Sequence, residues 1–396
     1  MAIILFDGNA HQTLLPLTYT RPVADLRLGI LTIAQKWAKY LKQGYSFHTR
    51  AYLSVKFPVK IKAENIFING AVCPDELLLE AIYKLSIGEA LKYNGELIAV
   101  KLSEADAKVF DSETQFDRSI DYTGTPVVIK CPENIFQNND TELKKDFQLL
   151  TKGRNSAAIS ATNTIIGNDF FAEEGAVAEC SSFNTTNGPI YLANTTEVWE
   201  GTHIRGSFAL CNNSQVKMGA KIYGGTTVGP YCRVGGEINN SVIWGYSSKG
   251  HEGYLGNSVM GEWCNIGADS NNSNLKNNYA DVKLWDYASQ RFRDTGLQFC
   301  GLIMADHSKC AINTMFNTGT VVGVSANIFG AGFPRNFIPD FSWGGAQGYE
   351  TYSLKKAFET MEKVFARRDH RKFDEVEQDI LKTVFELTNE YRHIGL

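Results

Sequence analysis

Paired cysteines, long apolar runs and an excess of positive charge are all missing from this sequence of 396 residues. The eight cysteines include no Cys-x-x-Cys pair, which argues against a zinc ribbon or a redox dithiol and favours free thiols in a reducing cytoplasm. No apolar run is long enough to span a membrane, and the N-terminus has no signal-peptide pattern. The 39 basic and 43 acidic side chains exclude a generally basic nucleic-acid binder. The histidines form no close pair, so we expect no structural metal.

Glycine and asparagine are concentrated in one part of the chain where charge is scarce. Residues 155–336 hold 23 of the 35 glycines and 21 of the 29 asparagines, but only 25 of the 82 charged side chains. A disordered linker shows the opposite charge pattern. This composition therefore indicates a folded segment with many tight turns.

Apolar residues recur every six positions within this segment, a period that fits neither an amphipathic helix nor a plain strand. The longest series is Val198, Ile204, Leu210, Val216, Ile222, Val228 and Val234. Two shorter series follow, namely Tyr254, Met260 and Ile266, and then Met304, Cys310, Phe316, Val322 and Ile328. This period predicts a hexapeptide parallel β-helix, a triangular prism whose apolar residues point inward and whose corners are turned by glycine and asparagine. Known helices of this kind are left-handed, so we expect a left-handed parallel β-helix.

The rest of the chain predicts two further parts. Short apolar runs at residues 2–6, 66–69, 97–102 and 127–130 alternate with helical patterns, which indicates an α/β domain with a mostly parallel sheet. Helical stripes after Pro334 predict a hairpin that caps the open end of the solenoid. We expect an α/β domain over residues 1–154, the β-helix over residues 155–336 and a C-terminal helical cap over residues 350–396. A polar segment at residues 275–301 interrupts the hexads and is typical of a loop that carries function.

The most specific motif is Gly250-His251-Glu252-Gly253-Tyr254-Leu255-Gly256, followed by Ile266-Gly267-Ala268 and then by Asn274. These residues resemble the acetyltransferase half of the bifunctional N-acetylglucosamine-1-phosphate uridyltransferase/glucosamine-1-phosphate acetyltransferase family. That family carries Gly-His-x-x-Tyr-Leu-Gly, then Asn-Ile-Gly-Ala-Gly, then an asparagine before a loop. The resemblance covers roughly residues 229–332, with one long insertion.

The resemblance implies an acyl-transfer site in the β-helix. His251 would be the general base that takes a proton from the sugar amine, a role that suits an imidazole near pH 7. Asn274 would orient His251 or the substrate. Arg233, Tyr254 and Asn265 would hold the sugar phosphate. The alternative for His251 is a satisfied histidine in the solenoid wall, and His307, where the family has no catalytic histidine, is expected to be structural.

The resemblance also implies where acetyl-CoA binds. Gly267 and Ala268 would let the backbone approach the pantetheine arm and would offer N–H groups to the thioester oxyanion, while Gly330 would contact the same molecule. Members of the family are trimers with the acetyl-CoA groove between neighbouring prisms, so we expect a homotrimer. Two interpretations stay open for a group of cationic residues: they contact phosphate, or they form the solvated face of a loop. These residues are Lys276, Lys283, Arg291, Arg293 and Arg335.

The segment Leu-Pro-Leu-Thr-x-Thr-Arg-Pro at residues 15–22 resembles the entry segment of sugar-phosphate nucleotidyltransferases. Those enzymes cradle a triphosphate in a Gly-x-Gly-Thr-Arg loop. Here residues 7–13 contain a single glycine, Thr13 replaces the arginine and Ala71 replaces a magnesium ligand. The charged residues that would replace these missing groups in nucleotide binding are Asp7, Arg21, Arg27 and Asp75. The alternative is that the two arginines pair around the following helix.

Together these features predict a cytoplasmic, homotrimeric enzyme that uses acetyl-CoA to N-acetylate an amino-sugar phosphate. The expected substrate is glucosamine 1-phosphate. The first domain would then convert the product with UTP to UDP-N-acetylglucosamine, using Mg²⁺ if it is active. Two alternatives stay open: a monofunctional acyltransferase with a degenerate, sugar-nucleotide-binding first domain, and a non-catalytic β-helix used for assembly. None of these functions calls for nucleic acid or a membrane as partner.

Overall fold

The computed structural model describes residues 1–368 and 370–393. By its internal contacts the chain divides into two compact units, Met1–Leu26 with Leu31–Cys131, and Arg27–Ile30 with Pro132–Leu396. The short segment Arg27–Ile30 therefore packs as part of the second unit. Over the described ranges, no helix has both the length and the apolar character needed to cross a bilayer.

The first unit is built on one sheet in which Ala2–Phe6 runs parallel to the strand on either side. In spatial order the strands are Ser46–His48, Ala2–Phe6, Glu64–Asn69, Glu96–Ser103, Glu89–Tyr93 and Arg118–Asp121. The parallel-rich α/β fold is confirmed. The expected strand at residues 127–130 is wrong, because within this run only Val128 pairs, in an isolated bridge to Val72.

Short helices connect these strands. Their bounds are Ala10–Thr13, Ile33–Leu41, Glu76–Tyr83 and Glu104–Lys108, with 3₁₀ turns at Val23–Asp25 and Ala51–Leu53. Ile33–Leu41 shows why such a helix forms here. Thr32 and Gln35 make a reciprocal capping box at its start, and Trp37 is buried on its inner face with its indole N–H donated to the Val72 carbonyl at 2.8 Å. The capping box marks the start of the helix, and Trp37 marks its buried side.

The second unit is a left-handed parallel β-helix of about ten turns between residues 164 and 344. Its first face consists of Thr164–Ile166, Ser182–Asn184, His203–Arg205, Lys221–Ile222, Glu237–Asn239 and Tyr254–Gly256, and the pair Asn271–Asn272 and Met315–Phe316 follows. The second face consists of Phe170–Ala172, Ile190–Leu192, Phe208–Leu210, Thr226–Val228, Val242–Ile243, Val259–Met260, Leu302–Met304, Thr320–Val322 and Phe337–Ile338. The third face consists of Val177–Ala178, Glu197–Val198, Gln215–Val216, Arg233–Val234, Ser248–Lys249, Asn265–Ile266, Lys309–Cys310, Asn327–Ile328, Ser342–Gly345 and the antiparallel Gly348–Thr351.

The hexad residues form the core of the prism. All seven apolar residues of the longest series are buried there, which confirms that part of the prediction. Tyr254 is an exception, because Leu255 takes the core position and Tyr254 is only partly buried. The cause is a shorter coil: Gln215 pairs with Arg233 eighteen positions later, but Arg233 pairs with Ser248 only fifteen positions later. A strict period of six therefore no longer identifies the inward-facing residues after this coil.

Two polar residues also stand inside the prism, where the repeat predicts aliphatic ones. Lys249 is 2% exposed and lies in register beside Val234. Asn272 is 4% exposed and exchanges hydrogen bonds with the backbone of Gly256, accepting from its N–H at 2.9 Å and donating to its carbonyl at 3.1 Å. Both groups are satisfied by backbone partners, as buried polar groups must be.

The corners of the prism need left-handed backbone, but not always glycine or asparagine. One corner does use glycine, at Gly201, Gly219, Gly236 and Gly253. Another carries left-handed residues of many kinds, including Tyr231, Tyr246, Trp263 and His307. We call these four residues the aromatic corner. The rings of Tyr231, Tyr246 and Trp263 stack on successive coils with centroids 5.0 and 4.2 Å apart, which offsets the steric cost of the left-handed conformation.

The C-terminal helices, Leu354–Phe365 and Glu375–Leu387, are followed by a 3₁₀ turn at Glu390–His393. Phe365 stacks on Trp263 with centroids 3.9 Å apart, and Phe385 packs edge-on against Phe341 at 5.0 Å. These contacts run along the side of the prism at the aromatic corner, so the expected cap over the open end is wrong in position. The stacked rings of the aromatic corner provide an apolar surface on the side of the prism, and the helices pack against it.

One more helix, Glu133–Thr151, packs on the second face of the prism. Its buried Asn139 donates to the Gly225 carbonyl at 2.7 Å and to the Thr227 hydroxyl at 3.1 Å, and accepts from the Gly29 N–H at 2.7 Å. This single side chain therefore joins the helix, two points of the coil and the segment Arg27–Ile30.

The interrupting segment at residues 275–301 is ordered into an antiparallel hairpin, Lys283–Asp286 with Arg291–Asp294. The hairpin packs against the strand Thr320–Val322 of the second face. The expectation of a loop outside the coil is confirmed in its position, and the structure adds that this loop has regular structure of its own.

Candidate functional site

Outward-facing side chains of successive coils form a cavity of about 470 Å³ on the third face. It is lined by Trp199, Gln215, Lys217, Arg233, Ser248, Gly250 and His251. The strands that carry these residues pair in parallel, so residues in register lie above one another on the same side of the sheet. The structure thus brings together two residues of the expected site, Arg233 and His251. We call this space the His251 cavity.

Positive charge and an aromatic ring dominate the His251 cavity. The Lys217 ammonium lies 3.6 Å from the centroid of the Trp199 ring and donates to the Gln215 side chain at 2.9 Å. Burial, and then the charge of Arg233, hold the pKa of Lys217 below its usual value. One carboxylate, Glu197, accepts from the Trp199 indole N–H at 2.9 Å. The cavity therefore offers two cations for an anionic group and a flat apolar ring beside them.

Trp199 and Lys217 were not among the expected site residues, although the sequence contains a signal for them. Each directly follows an inward residue of the hexad series, Val198 and Val216, and they are one coil of eighteen residues apart. Side chains that follow a core position in a strand point outward. Because Trp199 and Lys217 both point outward and are one coil apart, the hexad frame predicts that they lie on the same face of the prism as Arg233.

His251 itself is exposed, but its backbone is fixed from inside the prism. The buried Lys249 donates its ammonium to the His251 carbonyl at 2.6 Å. Burial lowers the pKa of Lys249 to about 8, although the charges of Glu252 and Asp269 oppose the shift. The imidazole thus stands on a turn that is held by a buried side chain, with its ring in solvent and on the cavity wall.

Asn274 and Tyr254 are brought together with each other. The Asn274 amide donates to the Tyr254 hydroxyl at 3.0 Å and to the Asn257 side chain at 2.7 Å. These are the hydrogen bonds found for the Asn274 side chain in the described part of the chain, and neither involves His251. In this conformation Asn274 positions Tyr254 instead.

Asn265 is exposed on the third face, in register between Ser248 and Lys309. Ser248 in turn pairs with Arg233, so Asn265 lies two strands, about 10 Å, from Arg233. Its side chain points to the same side of the sheet as those of Ser248 and Arg233. Asn265 thus extends the wall of the His251 cavity along the prism axis.

The glycine at position 267 has a packing reason of its own. A Cβ there would lie 2.4 Å from the Ala311 carbonyl carbon, so only glycine fits between these coils. The Gly267 N–H donates to the Cys310 carbonyl at 3.1 Å and is therefore already used in the coil ladder. Ala268, by contrast, accepts from Asn313 through its carbonyl, and its N–H has no acceptor in the described residues. Of the two expected oxyanion donors, Ala268 is the one with a free N–H.

Gly330 lies at a second opening, of about 470 Å³, near the last coils. Its lining is rich in glycine and includes Phe329 and Trp343, whose rings meet edge-on at 5.1 Å. Gly330 has φ +102° and open space where a side chain would begin. This opening shares no lining residue with the His251 cavity.

In the first unit, Asp7 directly follows the strand Ala2–Phe6. Strands pair on both sides of Ala2–Phe6, so its carboxyl end is the position at which open α/β sheets bind ligands. The Asp7 carboxylate accepts from the Val23 N–H at 2.8 Å and from the Thr49 hydroxyl. Burial raises its pKa to about 6. The nearby His11 is also buried, and burial, followed by the charge of Arg50, lowers its pKa to about 3.

The other expected nucleotide-binding residues have local partners. Arg21 pairs with Asp25 at 3.3 Å, one turn away along the chain. Asp75 caps the helix Glu76–Tyr83 by accepting from the Leu78 N–H at 2.8 Å. Arg27 belongs to the second unit, where its guanidinium donates to the Ile30 carbonyl. Each of these three side chains is therefore engaged by a residue close to it in the sequence.

The donor set of the first unit does not fit a magnesium ion. Mg²⁺ binds ionised carboxylates with free oxygen atoms. Both oxygens of Asp7 are already hydrogen-bonded, Asp75 is a helix cap, and Ala71 offers no ligand. Across the described residues no group of three or more His, Cys, Asp and Glu side chains is arranged to hold a metal.

The chain thus joins a parallel-rich α/β unit to a left-handed β-helix that carries a cationic cavity on its third face. Residues 3–155 match the family of sugar nucleotidyl transferases, and the match assigns this part of the chain to that class of domain. No curated protein matches the chain. The domain and the β-helix together fit the two-part architecture of bifunctional nucleotidyltransferase/acyltransferases.

Proposed function

We propose that the second unit transfers an acetyl group from acetyl-CoA to the amine of an amino-sugar phosphate, with glucosamine 1-phosphate as the substrate to test first. The observation that carries this proposal is the His251 cavity, which places an imidazole beside the cations of Arg233 and Lys217. A sugar phosphate needs cationic partners for its phosphate, and its amine needs a base. The single cavity offers both.

In this reaction the sugar phosphate is bound by Arg233 and Lys217, and the Trp199 ring packs against a face of the sugar. His251 accepts a proton from the amine as its nitrogen attacks the thioester carbonyl carbon. The carbon–sulfur bond then breaks, the amide forms, and the proton passes to the leaving thiolate to give CoA. Lys249 takes no part in the proton transfer, but holds the turn that carries His251.

Binding of the acyl donor is proposed for the backbone around Ala268 and for the glycine-rich opening at Gly330. The free N–H of Ala268 supports a role in binding the thioester oxygen. Gly330 leaves open space for a chain to pass. Because the His251 cavity and the Gly330 opening share no residue, a homotrimer in which a neighbouring prism completes the groove is part of the proposal.

For the first unit we propose nucleotidyl transfer from UTP to the N-acetylated sugar phosphate, which yields UDP-N-acetylglucosamine and pyrophosphate. The family match over residues 3–155 supports this reaction class. The edge at Asp7 and His11 is the place proposed for the nucleotide. No step through magnesium is proposed, since the donor set there does not fit the ion.

The acetyltransferase proposal is tested by release of free CoA from acetyl-CoA and glucosamine 1-phosphate. The wild type should release CoA, and the His251→Ala variant should lose at least about 100-fold of the rate, as expected for removal of a general base. The matched control is His203→Ala, because His203 is also an exposed histidine of the β-helix but lies on another face. Absence of CoA release from the wild type with every amino-sugar phosphate tried would refute the acetyltransferase proposal. Equal rates for the two histidine variants would refute the role of His251.

Pyrophosphate release from UTP and N-acetylglucosamine 1-phosphate tests the first unit, with and without Mg²⁺ or Mn²⁺. Release identifies a bifunctional enzyme. If CoA is released but pyrophosphate is not, the chain is a monofunctional acyltransferase with a sugar-nucleotide-binding first unit. If neither product appears, a β-helix used for assembly is the remaining function.

A further inference from the structure

The connection between the two C-terminal helices, residues 366–374, is rich in positive charge, and we call it the basic connection. Between positions 367 and 372, five of the six residues are basic. Two of them lie against the aromatic corner. The His370 ring stacks on Tyr231 with centroids 4.4 Å apart, and the Arg371 guanidinium stands 5.4 Å from the centroid of the Tyr246 ring. The basic connection therefore brings cations to the corner of the prism that borders the third face.

Arg368 links the basic connection to the strand that carries Arg233. Its guanidinium donates to the Tyr231 carbonyl at 3.2 Å, and Tyr231 stands two residues before Arg233 in the chain. Arg233 lines the His251 cavity, whereas Arg368 lies beside that cavity and is not part of its wall. The bond to Tyr231 uses one of the five N–H donors of the Arg368 guanidinium. The remaining donors are available to a group that Arg233 holds.

Three cations, Lys217, Arg233 and Arg368, lie together at this end of the His251 cavity. After burial, the charge of Arg233 has the largest effect on the pKa of Lys217 and on that of Arg368, and it lowers both. In the part of the chain that the structure describes, none of the three forms an ion pair with a carboxylate. The Glu197 carboxylate accepts from the Trp199 indole instead. Like charges held together in this way disfavour one another until an anion binds between them.

A phosphate group matches this arrangement in charge and in shape. A phosphate monoester carries about 1.5 to 2 negative charges at pH 7 and three acceptor oxygens, and a planar guanidinium can bind two of those oxygens side by side. Arg233 belongs to a coil of the prism, and Arg368 belongs to the basic connection outside it. Two guanidinium groups on separate elements can neutralise one phosphate and fix its orientation.

We propose that Arg368 binds the phosphate group of the acceptor together with Arg233, so that the basic connection completes the acceptor site and sets its preference for a phosphorylated amino sugar. The identity of the acceptor rests on the proposed acetyl transfer. The C-terminal helices then have a role in substrate binding, because they carry Arg368 to the edge of the His251 cavity. An uncharged sugar gains nothing from this residue, so Arg368 contributes to specificity.

The test is calorimetric titration of the full-length protein with glucosamine 1-phosphate. Arg368→Gln should weaken binding at least about tenfold, as loss of one charge-assisted hydrogen bond does. Arg368→Lys should recover part of that loss, because it keeps the charge but not the planar fork. The matched control is Lys372→Gln, which removes an exposed charge from the same basic connection and should bind within about twofold of the wild type. Circular dichroism at the temperature of the titration checks that each variant is folded.

Two further measurements separate phosphate binding from a merely structural role of Arg368. If Arg233 and Arg368 hold the same phosphate, the losses of affinity in Arg233→Gln and Arg368→Gln should not multiply in the double variant. The comparison with Arg233→Gln also identifies the bound sugar phosphate as that of the second unit. Added salt should weaken binding less in Arg368→Gln than in the wild type, since one contact between charges has been removed.

The proposal would be overturned by equal affinities of Arg368→Gln and Lys372→Gln, by losses that multiply in the double variant, or by an unchanged dependence on salt. Absence of binding by the wild type would overturn it as well. The titration involves no turnover, so its outcome is distinct from that of the acetyltransferase assay. Binding with the expected losses but without CoA release leaves the Arg368 site standing and refutes the acetyl transfer. CoA release with no effect of Arg368→Gln on binding gives the opposite result.

Discussion

The ammonium of Lys249 lies 2.6 Å from the carbonyl oxygen of His251, with its aliphatic stem in the core of the prism. An apolar residue at this inward position would pack equally well beside Val234 but would leave that carbonyl without its donor. The contact joins the interior of the β-helix to the turn that carries the proposed base. Lys249 is therefore a positioning residue whose charge is costly to bury.

The first prediction concerns the pH dependence that Lys249 imposes on stability. Its pKa is about 8 in the folded protein and 10.5 in the reference state, so the unfolded chain binds more protons between these values. Stability therefore rises with pH from about 8 to about 10.5, by about 3 kcal/mol from this group. Lys249→Met should remove this contribution from the pH dependence of the free energy of unfolding, as measured by urea titration at several pH values. The rise due to the buried Lys309, whose pKa burial also lowers to about 8, should remain in the variant.

Lys355→Met is the matched control for that experiment, because Lys355 is exposed on the helix Leu354–Phe365. It should keep the rise. If Lys249→Met and the wild type change in parallel between pH 8 and 10.5, Lys249 is not buried as a charge. If Lys249→Met stays folded but loses CoA release, Lys249 positions the turn that carries His251 in addition to its effect on stability.

A second prediction compares two isoleucines of the β-helix. Ile222 is 2% exposed in the core, whereas Ile312 is 65% exposed on the outside. Ile222→Ala should lower the free energy of unfolding by about 2–5 kcal/mol, because it removes buried methyl groups and leaves a cavity. Ile312→Ala should change it by no more than about 0.5 kcal/mol. Urea midpoints of the two variants measure the difference, and similar midpoints would contradict the inward assignment of the hexads.

A third prediction tests Asn139, the buried amide between the helix Glu133–Thr151 and the coils. Asn139→Ala leaves the Gly29 N–H and the Gly225 carbonyl without this partner, and we expect a loss of about 3–5 kcal/mol. The exposed Gln137 on the same helix provides the control variant Gln137→Ala. Chemical denaturation followed by circular dichroism gives both values. A small loss for Asn139→Ala would mean that solvent reaches these groups.

The fourth prediction concerns Asp340, which is buried with hydrogen bonds from the Val324 N–H at 2.6 Å and the Tyr287 hydroxyl at 2.8 Å. Burial raises its pKa from 3.8 to about 6, so the folded protein binds the extra proton between these values. Stability due to this group therefore falls by about 3 kcal/mol as pH rises from about 4 to 6. Asp340→Asn should gain stability relative to the wild type over that interval, measured by thermal unfolding at fixed salt. The exposed Asp379→Asn should show no such gain.

The β-helix could be predicted because its coils impose a period on the sequence that few other folds share. Val216 and Val228 lie inside because each coil repeats the same three strands. The prediction failed at Tyr254 because the length of a coil depends on the turns at its corners, which the period does not encode. The aromatic corner was missed for a related reason: the stacking of Tyr246 on Trp263 offsets a backbone cost that sequence rules assign to glycine.

The candidate site was predictable only where the motif and the coil geometry agree. Arg233 and His251 lie on one wall because both occupy outward positions of neighbouring coils. The partner of Asn274 could not be deduced, because the path of the chain into the insertion decides which side chain it meets. In the first unit the charged residues were chosen by chemistry alone, and Asp75 proved to be a helix cap.

The placement of the C-terminal helices changes how the β-helix should open. In a solenoid each coil touches only its neighbours, so an array of coils can unfold progressively from either end. Here Phe365 contacts Trp263 and Phe385 contacts Phe341, on coils that are not adjacent to one another. The two C-terminal helices therefore link coils that do not contact each other directly. We expect the coils between Trp263 and Phe341 to exchange their amide protons as one cooperative block rather than one coil at a time.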